Sequence, residues 1–199
     1  MSGRSAKDSL DATPRPGLAR LAPHDEEGRL RAVIEAPRGS ANKLKFDPAI
    51  GAFVLHRVLP LGVVFPFDFG FVPGTRGDDG DPLDILVLMD EPAAPGVVVP
   101  CRLLGVIEAM QRPIHDTRSA RGTRNDRLVA VTTETHRHAT CRSLRDVGER
   151  VLDEIERFFV FYNEQKGVRF TPGGRASVIE ARRRIAQGRR AFLDRSGLS

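Results

Sequence analysis

Between residues 29 and 133 the chain is a succession of short apolar runs; from about residue 146 its apolar residues fall at helical spacing instead. RLRAVIEA (29–36), KLKF (43–46), AFVLHRVL (52–59), LDILVLMD (83–90), VVVPCRLLGVIEA (97–109) and RLVAVTT (127–133) each have the length and side-chain type of a strand. PRGSAN (37–42) is turn chemistry between the first two. FPFDFGFVPG (65–74) carries an aromatic at every second residue, yet Pro and Gly break it into an irregular segment. Pro100 suggests an edge or a bulge in its run, and QRPIHDTRSARGTRND (111–126) reads as a long polar loop. Asp146 with Glu149 resembles a capping box, and Val147, Val151, Leu152, Ile155, Phe158, Phe159 and Tyr162 then make one wide helix face. Gly167 is a stop signal, and a second, more polar helix is expected from about 174 to 193. Strands first and helices last argue for an α+β fold: a small barrel or curled sheet with helices packed on its outside.

The chain of 199 residues is long enough for one domain with a real core. Residues 1–26 mix Gly, Pro, Ser and charges without periodicity and read as a flexible lead-in, leaving 27–199 as a single domain. No apolar run approaches the ~20 residues of a membrane span, and the N-terminus lacks the apolar centre of a signal peptide. The expectation is therefore a cytoplasmic protein, with Cys101 and Cys141 as reduced packing thiols. The formal net charge is +5, and only four of 31 cations are lysines: Lys7, Lys43, Lys45 and Lys166. A nucleic-acid partner is one use for such an excess. The densest cluster, Arg182 to Arg184 with Arg189 and Arg190, lies on a helical stretch with little aromatic content and reads better as a solvated helix face.

Against this basic background, DDGDPLDILVLMD (78–90) places five aspartates in thirteen residues, three of them within six positions. Asp79 and Asp81, two apart, share a side of an extended segment. A turn at Gly80 to Pro82 brings Asp84 back toward Asp79. Three converging carboxylates repel one another unless a cation intervenes, and hard oxygen donors suit Mg²⁺ or Ca²⁺. The spacing fails as an EF-hand, because Leu83 and Asp84 stand where a ligand and a glycine are required. A solvated acidic turn is the alternative. If the ion serves phosphate chemistry, cations must hold the substrate. Lys43 and Arg57 on neighbouring strands, and Arg127 at the start of a later one, are candidates.

DDGDPLDILV resembles the Asp-x-Asp-Pro-x-Asp signature of the soluble family I inorganic pyrophosphatases. VIEAPRGSANKLKFDPAIGAFVLHRVL, FPFDFGFVPGT and FFVFYN follow that family's segments in order, so the resemblance spans roughly 29–165. It implies a five-stranded OB-like β-barrel with flanking C-terminal helices, and Mg²⁺-dependent hydrolysis of inorganic diphosphate to two phosphates. By position, Asp79 and Asp84 would be metal ligands, and Asp81 would accept a proton from the attacking water. Lys43, Arg57, Arg127 and Tyr162 would hold substrate phosphates, with Glu35 in the outer shell. Tyr162 also lies on the helix's apolar stripe and could be core with a polar tip. A compact homo-oligomer is implied as well.

Several positions depart from the family pattern. Lys45 replaces an acid, Phe65 and Phe69 replace tyrosines, Asn163 stands where a lysine follows Tyr162, and Arg127 itself replaces a lysine. Gln111 and Asn125 fall at two metal-ligand aspartates, so Asp126 is expected to serve as a ligand by a shift of one, with Asp116 as another possible donor. These changes leave two alternatives open: a hydrolase of the same fold acting on a larger diphosphate, and a non-catalytic barrel binding phosphate, nucleotide or nucleic acid.

Overall fold

The computed structural model describes residues 17–115 and 122–196. The strands are β1 (Leu30–Ala36), β2 (Asn42–Asp47), β3 (Ala52–Val58), β4 (Asp68–Phe71), β5 (Asp84–Leu88), β6 (Val98–Pro113), β7 (Thr123–Arg124), β8 (Arg127–Thr132) and β9 (Val168–Ala176). The helices are α1 (Leu144–Val147), α2 (Glu149–Glu164) and α3 (Val178–Ser196). β1, β4, β5, β8 and β6 pair in that order, and β6 pairs back with β1, so five strands form a closed ring in a mixed sheet. Only the β5–β8 step of the ring is parallel. β2 and β3 form a separate ribbon.

β5 and β8 read as unbroken apolar runs because both of their faces are buried. Leu86, Leu88, Val129 and Val131 join one cluster with Leu152, Ile155 and Phe159 of α2. The alternate residues Ile85, Val87, Leu128 and Ala130 join a second cluster that includes Ala181 and Ile185 of α3. Gly70 lets β4 approach β1: a Cβ there would stand 1.9 Å from the Val33 carbonyl oxygen. Cys101 and Cys141 are free and buried, and burial pushes the Cys101 thiol well above its ordinary pKa.

Several elements differ from the sequence expectations. The segment expected to be irregular holds β4, whose Phe69 and Phe71 pair with Leu86 and Asp84. Pro100 marks no edge, since it pairs with Arg31 and its carbonyl accepts from the Thr133 N–H; the register shifts in β6 lie between Leu103 and Gly105 and between Glu108 and Ala109. The expected loop 111–126 begins as strand, because β6 continues to Pro113 and pairs with β7 and β9. Asp116, Arg118 and Arg121 of that loop lie outside the described residues. The capping box is Ser143 with Asp146, three residues earlier than expected, and it starts the short α1 before Gly148. Residues 174–176, expected to open a helix, close β9 along the second half of β6. Arg184 is no solvated cation: it pairs with Glu108, Asp126 and Glu180 and ties α3 to the sheet.

Of the expected lead-in, 1–16 lie outside the described residues, while 17–26 lie against the body of the fold. Ala19 accepts a backbone hydrogen bond from Gly74, and Pro23 one from Arg31. The boundary expected at 26 thus falls within a packed segment.

Candidate active site

The aspartate loop owes its shape to a turn that only glycine enters cheaply. Gly80 has φ +91°, and its N–H bonds the Gly77 carbonyl at 3.1 Å. The Gly77 N–H in turn bonds the Asp81 carbonyl at 2.7 Å, and the Asp81 N–H bonds Asp79 Oδ1 at 3.2 Å. Thr75 clamps the stem, accepting from the Leu83 N–H at 3.1 Å while donating to the Val72 carbonyl. α3 rests on the loop's back, where Gly188 leaves room for Leu83.

The loop forms one wall of a cavity of about 500 Å³, the opposite walls carrying Glu35, Lys43, Lys45, Arg127, Tyr162 and Lys166. The parallel register of β5 and β8, with Ile85 opposite Leu128, sets Asp84 beside Arg127 at the two strand starts. Their side chains pair at 2.7 Å. Arg127 is buried, its guanidinium 4.8 Å from the Phe159 ring centroid and 5.1 Å from that of Phe170. Its Nη1 also donates to the Asn125 carbonyl at 3.0 Å and to Asn125 Oδ1, while its Nε has no hydrogen-bond partner. Lys43 is buried against Glu35, to which its ammonium donates, and lies 4.2 Å from the Phe69 centroid. Lys45 bonds both carboxylate oxygens of Asp81, at 2.8 and 2.9 Å. Burial lowers the Lys45 pKa, but the hydrogen bond and the charges of Asp81, Glu35 and Asp84 outweigh it and leave it raised.

Tyr162 lies in an aromatic cluster, stacked on Phe158 and tilted against Phe65, and it also lines the cavity. Burial and the Asp84 charge push its hydroxyl to about 12, and it keeps its proton at neutral pH. Lys166 lines the same cavity, its Nζ 4.1 Å from the Tyr162 ring centroid. Burial, followed by the charge of Arg127, pulls Lys166 down to about 8.

Of the residues expected from sequence, Glu35, Lys43, Asp79, Asp81, Asp84, Arg127 and Tyr162 meet at this cavity. Arg57 pairs with Lys43 in the β2–β3 register but lines a smaller adjoining cavity on the other side of Tyr162, where its Nε has no partner. Asp126 does not line the main cavity; it lines another adjoining one, which Asp79 and Asp84 also line. One of its oxygens accepts from the Ala109 N–H at 3.0 Å and the other from Arg184 at 2.9 Å, which turns it toward the next cavity. Gln111 and Asn125 do line the site, bonded to one another at 2.7 Å.

Fitness for a metal follows from the donors. Partial desolvation, with the nearby charges of Asp84 and Asp81, raises the Asp79 carboxyl above its ordinary pKa. That is the repulsion a cation would relieve. Asp79 and Asp84 fit one divalent ion bound through oxygen. Among the described residues no group of three His, Cys, Asp or Glu is arranged to hold one. Both amide oxygens at Gln111 and Asn125 already accept hydrogen bonds. Sequence reasoning left Lys166 unassigned, and its scarcity as a lysine was the one available signal.

A family model described as inorganic pyrophosphatase matches residues 32–192. An inorganic pyrophosphatase of Nostoc sp. is 41% identical over 145 residues, covering 73% of this chain and 80% of the relative. That of Thermus thermophilus is 42% identical over 130 residues, 65% of this chain and 69% of the relative. The crystal structure of the Thermus thermophilus enzyme superposes with TM-score 0.78 at 33% identity, covering 89% of this chain and 99% of that one. A Neisseria gonorrhoeae inorganic pyrophosphatase superposes with TM-score 0.75 at 27% identity, covering 86% and 96%.

Proposed function

The chain belongs to the inorganic pyrophosphatase family, and from that premise we propose that it hydrolyses inorganic diphosphate to two phosphates in the cavity behind the aspartate loop. Family membership implies a divalent metal cofactor. The hard carboxylate donors Asp79 and Asp84 favour Mg²⁺ as that ion. When bound, such an ion polarises phosphoryl oxygens and acidifies water at neutral pH.

The chain's own residues supply the rest. Asp81, held by Lys45 at the mouth of the site, takes the proton of the attacking water. Lys43 and Arg127 face the negative charge that grows on the departing phosphate, in a partly desolvated setting where such charges count for more. Tyr162 donates its retained proton to a phosphate oxygen. Arg57 adds positive potential from the adjoining cavity. Glu35 fixes Lys43 through their buried ion pair.

The observation that carries this reading is the meeting of Asp79 and Asp84 with Lys43, Arg127 and Tyr162 in one cavity. Phosphoryl transfer asks a protein for little beyond this positioning of charge. The test is phosphate release from inorganic diphosphate with Mg²⁺, repeated with excess chelator. Release that stops on chelation is expected; no release with Mg²⁺ would sink the reading. A cavity of about 500 Å³ with Phe46, Phe69 and Phe71 in its lining also has room for an organic diphosphate. Nucleoside diphosphates in the same assay distinguish that second reading.

The five-stranded ring supports description as a small OB-like barrel. A cytoplasmic homo-oligomer completes the proposal. The exposed Ile50, Leu55, Val58 and Leu61 on and beside the β2–β3 ribbon offer apolar surface for assembly. Among the described residues no helix is long and apolar enough to cross a membrane.

A further inference from the structure

We propose that Lys166 is a substrate-binding residue, its ammonium gripping a phosphate oxygen of diphosphate from the turn that follows α2. This rests on the hydrolase reading above and adds a contact to it.

Three other cations that line the cavity are already occupied. Lys43 is held by Glu35, Lys45 by Asp81, and Arg127 by Asp84 and Asn125. Lys166 has no hydrogen bond or ion pair among the described residues, and its Nζ rests over the Tyr162 ring. The charge that acts on it most is Arg127, then the opposing anion Asp84, then Arg57 and Lys43, both cations. Asp84 is already committed to Arg127 at 2.7 Å. A half-buried ammonium among three cations is costly when the site is empty. An anion delivered to the cavity removes that cost, and diphosphate brings several negative oxygens at once.

The neighbouring helix cannot supply this contact. Asn163, the polar residue next to Tyr162, is fully buried, and its Nδ2 donates to the Phe159 carbonyl at 2.7 Å. The next residue that can bring a positive charge to the Tyr162 side of the cavity is Lys166, four positions on and therefore over the same ring. Gly167, with φ +69°, then turns the chain away into β9.

The test uses the full chain and binding as well as turnover. Calorimetry measures imidodiphosphate affinity in Mg²⁺ for the native chain, Lys166→Met and Lys166→Arg, with KM for diphosphate measured in parallel and circular dichroism checking the fold. Lys166→Met is expected to weaken binding and raise KM by about tenfold or more, and Lys166→Arg to recover most of the loss. Binding to the native chain is expected to weaken as pH rises past about 8, a limb that Lys166→Met abolishes. A loss below threefold in a folded Lys166→Met chain, or an unchanged alkaline limb, overturns the assignment. If the native chain binds imidodiphosphate through Lys166 but hydrolyses no diphosphate, the hydrolase reading fails and the assignment stands.

Discussion

Lys45 Nζ reaches Asp81 from across the cavity mouth and bonds both of its carboxylate oxygens, at 2.8 and 2.9 Å. Both side chains keep about half of their surface in solvent, at 42% and 58%. A pair so exposed adds little to stability, about 0–1 kcal/mol. Its effect is on orientation: it fixes one carboxylate where a proton must be received.

Replacing Asp81 by Asn keeps the shape and removes the proton acceptor. We expect diphosphate turnover to fall by about 10²–10⁴-fold with an unchanged circular dichroism spectrum. Near-native turnover in this variant would remove Asp81 from the mechanism.

Lys45→Gln should act differently. It removes a positive charge that competes with a divalent ion for the aspartate loop. Mg²⁺ affinity, followed by calorimetry without substrate, is expected to rise several-fold, in line with the weak screened interaction of a half-exposed charge. An unchanged or weaker affinity would show that Lys45 does not compete with the ion.

Gln111→Asp with Asn125→Asp tests the amide pair. At present Asn125 Nδ2 donates to Gln111 Oε1, and Asn125 Oδ1 accepts from Arg127. Two carboxylates at those positions add negative charge beside Asp84 and should tighten Mg²⁺ by about tenfold or more. The same calorimetric titration reads the result, and no change would mean that these side chains do not reach the ion.

Lys166 ties function to stability. Its pKa in the folded chain is lowered to about 8, against 10.5 in an ordinary setting. Between those values the unfolded chain binds more protons than the folded one, so the Lys166 contribution to stability rises as pH increases through that window. Below pH 8 the folded chain carries the full penalty. Lys166→Met should therefore raise stability at pH 7 by about 1–2 kcal/mol, allowing for screening at a partly exposed site, and the gain should shrink toward pH 10. Urea unfolding at the two pH values measures it.

Much of the site was legible because its residues lie within short motifs. Asp79, Asp81 and Asp84 are spaced for one loop, and Lys43 and Arg57 sit on runs that read plainly as strands. Asp126, in the link between β7 and β8, lines the cavity that adjoins Lys43 and Tyr162 rather than the one that holds them, beside Asp79 and Asp84. The side chain it met instead, Arg184, arrives from α3, 58 residues away. β9 was missed because RFTPGGRA carries Pro and two glycines, and only the long exposed edge of β6 makes it a strand. Lys166 lies outside every motif. Its burial depends on α2 ending where it does.

Because Asp84 and Arg127 are neighbours through strand register, the chemistry does not depend on how many residues separate them along the chain. Outside the strands β5, β6 and β7, the excursion between them is free to lengthen or shorten over evolutionary time while the two charges stay side by side. Variation among relatives should accumulate in that excursion, giving each lineage a means of reshaping the rim without rebuilding the chemistry beneath it.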